Sequence, residues 1–148
     1  MPLAAARRVA AHRGSHARRV VAAARQEKKI LIVEDDADCR LILIYRLRKL
    51  GRFDIREAAN GQQAIDAVRA DPPDLIFMDE RMPVMDGWEA ARRIRGMHDA
   101  GGVRIIALAG GTMAAEKQKA LASGCDDYLT KPIVDPDLVR RTLQHWLW

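Results

Sequence analysis

Asp79 closes the apolar run Leu75-Ile76-Phe77-Met78 and is followed at once by Glu80-Arg81-Met82-Pro83-Val84-Met85-Asp86-Gly87. A second apolar run, Ile30-Leu31-Ile32-Val33, ends as abruptly in Glu34-Asp35-Asp36. Near the other end of the chain Tyr128-Leu129-Thr130 runs into Lys131-Pro132. Glu34, Asp35 and Asp79 brought to one point would repel, and at least one would resist ionising unless a cation joined them. Hard oxygen donors suit Mg2+, which typically shares its site between a carboxylate or two and a phosphate. An aspartate beside such an ion can attack a phosphoryl donor and become an acyl phosphate. Asp79 is then the nucleophile, and the Lys131 ammonium contacts the same group from the other side.

Each of these residues alone has a plainer reading. Asp35 or Asp36 caps a helix opening at Ala37 as readily as it binds metal, and a lysine before proline is ordinary loop. Their joint occurrence at the ends of apolar runs is what favours chemistry.

That reading requires elements that deliver all of them to one edge. Ile30 to Val33, Leu75 to Met78 and Val103 to Leu108 are short and largely apolar, as strands covered on both faces should be. Phe53 to Ala58 and Tyr128 to Thr130 are weaker strand candidates. Between them, Leu43, Leu47 and Leu50 follow helical spacing, as do Ala90, Ile94 and Met97, and later Val139, Leu143 and Trp146. Ile65 and Val68 mark a shorter helix after an Asn60-Gly61 turn, and Met113 to Ser123 another that Gly124 stops.

Five strands alternating with five helices predict a doubly wound α/β fold, a parallel sheet of flavodoxin-like order 2-1-3-4-5 with helices on both faces. Ligands of such folds bind beyond the carboxyl ends of the strands. The informative residues are therefore Glu34 and Asp35, Asp79, Ala109 to Thr112, and Lys131.

Composition bounds the rest. The 148 residues, 49% apolar, can bury one core, and no stretch approaches the ~20 apolar residues that span a bilayer. A soluble cytoplasmic protein without membrane contact is expected. Cys39 and Cys125 lack metal-ligand spacing and read as free thiols; His12, His16, His98 and His145 are scattered and read as surface residues.

The net charge of +5 is uneven: residues 1–29 hold eight of the 25 basic side chains and one of the 20 acids, so a +7 segment precedes a remainder of −2. Residues 1–27 form an Ala/Arg-rich arm without a core pattern, and residues 28–148 form the domain. Three readings of the arm stay open: a solvated disordered extension, a nucleic-acid or acidic-surface contact, and an organelle address. Nucleic acid, if bound at all, is expected only through this arm.

From Lys28 to about Trp148 the chain resembles the receiver domain of bacterial response regulators. The motifs that carry the resemblance are Ile30 to Asp36, Asp74 to Asp79 with Met82 to Gly87, and Asp126-Asp127-Tyr128-Leu129-Thr130-Lys131-Pro132. The resemblance implies that Asp79 is the phosphoacceptor and that Glu34 and Asp35 hold Mg2+, with Asp79 itself and the main-chain carbonyl of Arg81 as further ligands. It implies that Lys131 contacts the phosphoryl group, that Pro132 follows a cis bond, and that Tyr128 is an aromatic that changes rotamer with the neighbouring loop. Asp36 is left to helix capping.

One departure stands out. Where the family has Thr or Ser at the end of the fourth strand, this chain has Ala109. A hydrogen bond to a charged group is worth about 1.5–3 kcal/mol net, so its loss should weaken coupling between phosphorylation and conformation while leaving the chemistry in place. Backbone amides at Gly110-Gly111, or Thr112, are the available substitutes, although Thr112 also suits a helix N-cap.

The function expected is a single-domain receiver that takes a phosphoryl group from a phosphohistidine on a sensor histidine kinase or histidine phosphotransfer protein. It would signal to a downstream protein by contact or by passing phosphate on, with the last helices and strand as docking face. The alternative is a receiver-like binding module that switches weakly or not at all. A turnover enzyme, a phosphatase with an aspartyl nucleophile, fits poorly, because the Asp-x-Asp expected at the first strand is missing.

Overall fold

Strand and helix alternate along the whole domain in the computed structural model, which describes residues 26–111, 114–133 and 135–148. The elements are β1 (Lys28–Val33), α1 (Ala37–Leu50), β2 (Phe53–Ala58), α2 (Gly61–Ala70), β3 (Leu75–Asp79), α3 (Gly87–Arg95), β4 (Arg104–Ala109), α4 (Ala114–Ala122), β5 (Asp127–Thr130) and α5 (Pro136–Trp146). The expected arm falls outside the described residues as far as residue 25, as do Thr112 and Met113.

The strands form one parallel sheet in the order β2-β1-β3-β4-β5. Alternation along each strand explains the two layers of helix. On one face Leu31, Val33, Ile76, Met78, Ile105 and Ala107 meet Ala64, Ile65 and Val68 of α2, Ala90 and Ile94 of α3, and Ala120 of α4. On the other face Ile30, Ile32, Leu75, Phe77, Ile106 and Leu108 meet Leu43, Ile44 and Leu47 of α1 and Val139 and Leu143 of α5. Strands buried on both sides need no polar face, which is why β1 and β3 read as continuous apolar runs. Burying each such Ile, Leu or Phe contributes about 1.5–3 kcal/mol.

Helix starts follow their caps. Asp36 accepts from the Asp38 and Cys39 amides at 2.8 and 3.1 Å and opens α1 at Ala37. Asn60 accepts from the Gln63 amide at 2.8 Å, so Asn60-Gly61 is a cap and first helical residue rather than the turn expected. Asp86 and Asp135 open α3 and α5 in the same way.

Some bounds differ from the sequence reading. Met97 lies beyond α3, which ends at Arg95 and caps at Gly96, yet it still packs half-buried against the core. Periodicity therefore reported burial, not helix. Val103 precedes β4, and Ala109 is the strand's last residue. Cys39 and Cys125 are free, and His98 and His145 are exposed. Among the described residues no helix is long and apolar enough to cross a membrane.

Candidate functional site

Register carries the predicted residues to one edge. Val33 of β1 lies opposite Met78 of β3, so the next residues out, Glu34 and Asp79, are neighbours. Asp79 lies opposite Leu108 of β4, and Ala109 opposite Thr130 of β5, which leaves Lys131 one step beyond the sheet. Backbone bonds hold these exits: Glu34 donates its amide to the Ala58 carbonyl at 3.0 Å, Glu80 to Leu108 at 2.9 Å, and Lys131 to Ala109 at 2.7 Å.

The side chains converge. Lys131 Nζ lies 3.1 Å from Asp79 Oδ1 and 3.1 Å from Glu34 Oε2. Carboxylate oxygens of Glu34, Asp35 and Asp79 all lie within 4.8 Å of one another. Glu34 and Asp79 are buried and Asp35 is exposed. They border a cleft of about 520 Å³ whose other walls include Asp36, Arg81, Gly110, Gly111 and Glu116.

The loop after β3 is fitted closely to the acceptor strand. Gly87 donates its amide to the Glu80 carbonyl at 2.9 Å, and a Cβ at this position would collide with the Asp79 carbonyl oxygen. Only glycine lets α3 start there. Earlier in the loop Val84 is 83% exposed with φ +71°, and Met85 donates to the Pro83 carbonyl at 2.8 Å across it. That is a tight three-residue turn of the rarer, strained hand.

Electrostatics follow from the crowding. Burial, and then the neighbouring Asp79, push the Glu34 carboxyl up to about 7. Burial works against the Lys131 ammonium, but its bonds and attraction to Asp79 and Glu34 outweigh it and hold the pKa above the usual lysine value. Three carboxylates against one ammonium leave the pocket short of positive charge. A hard dication fits that deficit and that donor set. Cys39 borders the cleft, and desolvation, followed by the charges of Glu34 and Asp36, raises its thiol pKa.

The structure thus brings together Glu34, Asp35, Asp79 and Lys131, with Arg81 on the same wall. Asp36 is occupied as the α1 cap. Ala109 is fully buried at the end of β4, and the Lys131-Pro132 bond is cis. The Tyr128 ring is half-buried against the core, and its hydroxyl donates to the Gly111 carbonyl. Thr112 lies outside the described residues.

Sequence reasoning missed three contributors. Arg40 donates from Nη1 to the Glu34 carbonyl at 2.6 Å and pairs with Glu57 at 3.1 Å, bracing the acidic turn. Glu80 and Glu116 face the cleft, and the Glu80 carboxyl is held above its usual pKa, first by burial and then by Glu116. No spacing rule links Glu80 to Glu116, which reach the cleft from the end of β3 and from the first turn of α4.

A family model described as "Response regulator receiver domain" matches residues 30–143. The chain is similar to the two-component response regulator ORR41 of Oryza sativa subsp. japonica, 41% identical over 110 residues, or 71% of this chain and 84% of that one. A chain in the co-crystal structure of the Saccharomyces cerevisiae histidine phosphotransfer signaling protein Ypd1 with the receiver domain of its downstream response regulator Ssk1 superposes with a TM-score of 0.74, at 37% identity over 81% of this chain and 88% of that one. The receiver domain of the sensor histidine kinase PA1611 from Pseudomonas aeruginosa, with magnesium coordinated in its active-site cleft, gives a TM-score of 0.74 at 35% identity, covering 81% and 97%. On its motifs, its fold and these matches, the chain belongs to the response regulator receiver domain family.

Proposed function

We propose that Asp79 accepts a phosphoryl group from a phosphohistidine on a sensor histidine kinase or histidine phosphotransfer protein. The convergence of Asp79, Glu34, Asp35 and Lys131 at one sheet edge carries this reading. An Asp79 carboxylate oxygen attacks phosphorus; the new O–P bond forms as the P–N bond to the donor imidazole breaks, and that electron pair returns to the ring nitrogen. Lys131, already 3.1 Å from Oδ1, follows the charge from carboxylate to phosphoryl oxygen. Glu34, Asp35, Asp79 and the Arg81 carbonyl would hold Mg2+, which neutralises phosphoryl oxygens when bound.

The product signals in the cytoplasm to a downstream protein by contact or onward transfer, and is a switch rather than a turnover enzyme. That a relative was crystallised with a histidine phosphotransfer protein supports the partner class. The basic arm adds nucleic-acid contact only if binding falls steeply with salt and disappears when residues 1–26 are deleted.

A second reading, a receiver-like module that switches weakly, is favoured by the buried methyl of Ala109 where a hydroxyl is expected. Incubation with Mg2+ and acetyl phosphate, read by intact mass, tests the first. Wild type should gain one phosphoryl group and Asp79→Ala none; labelling of both variants, or of neither, defeats it. A downstream partner that binds labelled and unlabelled protein equally would favour the second.

A further inference from the structure

Among the described residues lining the cleft, none carries a hydroxyl. On the β4–α4 side, the cleft that holds Asp79 is lined by Gly110, Gly111 and Glu116. Glu116 lies in the first turn of α4 and folds back over the loop, so that a Cβ on Gly111 would collide with its carboxylate. The Tyr128 hydroxyl donates to the Gly111 carbonyl and lies 3.5 Å from Glu116 Oε2. One phenol therefore ties β5, the loop and α4 together. Glu80, the residue next to Asp79, lines the same cleft as Glu116.

Phosphorylation replaces a carboxylate of charge −1 with an aspartyl phosphate of about −2. Lys131 stands on the side of Glu34 and Asp79; the β4–α4 side offers a like charge. We propose that Glu116 senses the charge on Asp79: a phosphoryl group there repels its carboxylate, uncovers Gly111 and carries a negative charge away from the Tyr128 hydroxyl. Glu116 is thereby pushed off Gly111 by repulsion, where a hydroxyl at position 109 would have attracted the phosphoryl group. This inference rests on Asp79 being the phosphoacceptor. A switch of this kind needs only that one state interact differently with the added charge.

The full chain contains two tyrosines, Tyr45 and Tyr128, and Tyr45 is 61% exposed on α1. Labelling both with 3-fluorotyrosine gives a reporter and an internal reference for fluorine NMR, assigned with Tyr45→Phe. Spectra are compared with and without phosphate at complete labelling by Mg2+ and acetyl phosphate, with the extent checked by intact mass, so that differences in rate do not enter. In wild type the Tyr128 resonance moves and the Tyr45 resonance does not. In Glu116→Gln the Tyr128 shift drops at least threefold, and Glu116→Asp, which keeps the charge, retains most of it.

Equal Tyr128 shifts in wild type and Glu116→Gln, or no shift in labelled wild type, overturn the inference while the mass still upholds the phosphoacceptor. Loss of the shift in Glu116→Asp as well assigns Glu116 to packing and also overturns it. Absence of labelled wild type defeats the reading beneath it, and the two failures are told apart by mass.

Discussion

Lys131 Nζ rests 3.1 Å from Asp79 Oδ1, a contact between residues 52 positions apart that only the β4 and β5 registers bring together. Among the described residues the same ammonium is the one cation bonded to the Glu34 carboxylate, also at 3.1 Å.

Replacing Lys131 with Met leaves those two buried carboxylates facing each other. Hydrogen bonds to charged groups are worth about 1.5–3 kcal/mol each, but the Lys131 side chain is 27% exposed and Glu34 can protonate in response, which limits the loss. Without Mg2+ the variant should be about 1–2 kcal/mol less stable in urea denaturation. Removing one stabilising donor typically costs about 100-fold or more in rate, so labelling by acetyl phosphate should slow by roughly that factor. An unchanged labelling rate would remove Lys131 from the transfer step.

Glu34 predicts a pH dependence. Its carboxyl is raised to about 7 in the folded protein, whereas in the unfolded chain it returns to about 4.5. Between those values the folded state holds a proton that the unfolded state has released, so stability falls as pH rises across the window. Mg2+ needs the ionised form, and its affinity should climb through the same window and level off above about 7. Thermal melts of the metal-free protein against Glu34→Gln check this. The wild-type disadvantage should grow with pH, and a constant difference would refute the assignment.

Ala109 predicts a gain of function at the level of binding. It is fully buried at the end of β4, and Ser adds a single oxygen there. A hydroxyl reaching a charged phosphoryl mimic contributes about 1.5–3 kcal/mol net, which is roughly 10- to 100-fold in affinity. Ala109→Ser should therefore bind beryllofluoride more tightly by at least the lower figure, read from the fluorescence of the half-buried Trp88. Affinity within twofold of wild type would mean that the Gly110 and Gly111 backbone already supplies the contact.

Val84 predicts a change in stability with no change in chemistry. A β-branched residue at φ +71° is strained, and such residues cost about 1–3 kcal/mol. At 83% exposure it returns little burial energy. Glycine relieves the strain and costs about 0.5–1 kcal/mol in chain entropy. Val84→Gly should raise stability by about 1 kcal/mol in urea denaturation, and destabilisation would show that the turn is held by contacts of the valine itself.

The sequence by itself determined the alternation of elements and the strand ends from which the site is built. Apolar runs bounded by acids locate β1 and β3, and doubly wound order follows from handed crossovers, so Glu34, Asp79 and Lys131 were legible as a set. Asp36 was legible as a cap because capping is local. Local pattern failed at Met97, which is buried without being helical, and at Gly61, where the apparent turn residue opens a helix and donates to the Met85 carbonyl at 3.2 Å.

Only the tertiary structure decided the rest. Arg40 braces Glu34, Gly87 clears the Asp79 carbonyl, and Glu116 closes over Gly111 beside Tyr128. Side-chain periodicity reports which face of an element is buried, a property repeated over several residues of one segment. Which single side chain meets which across the cleft depends on loop path and strand register, and those are fixed by packing between segments far apart in the chain.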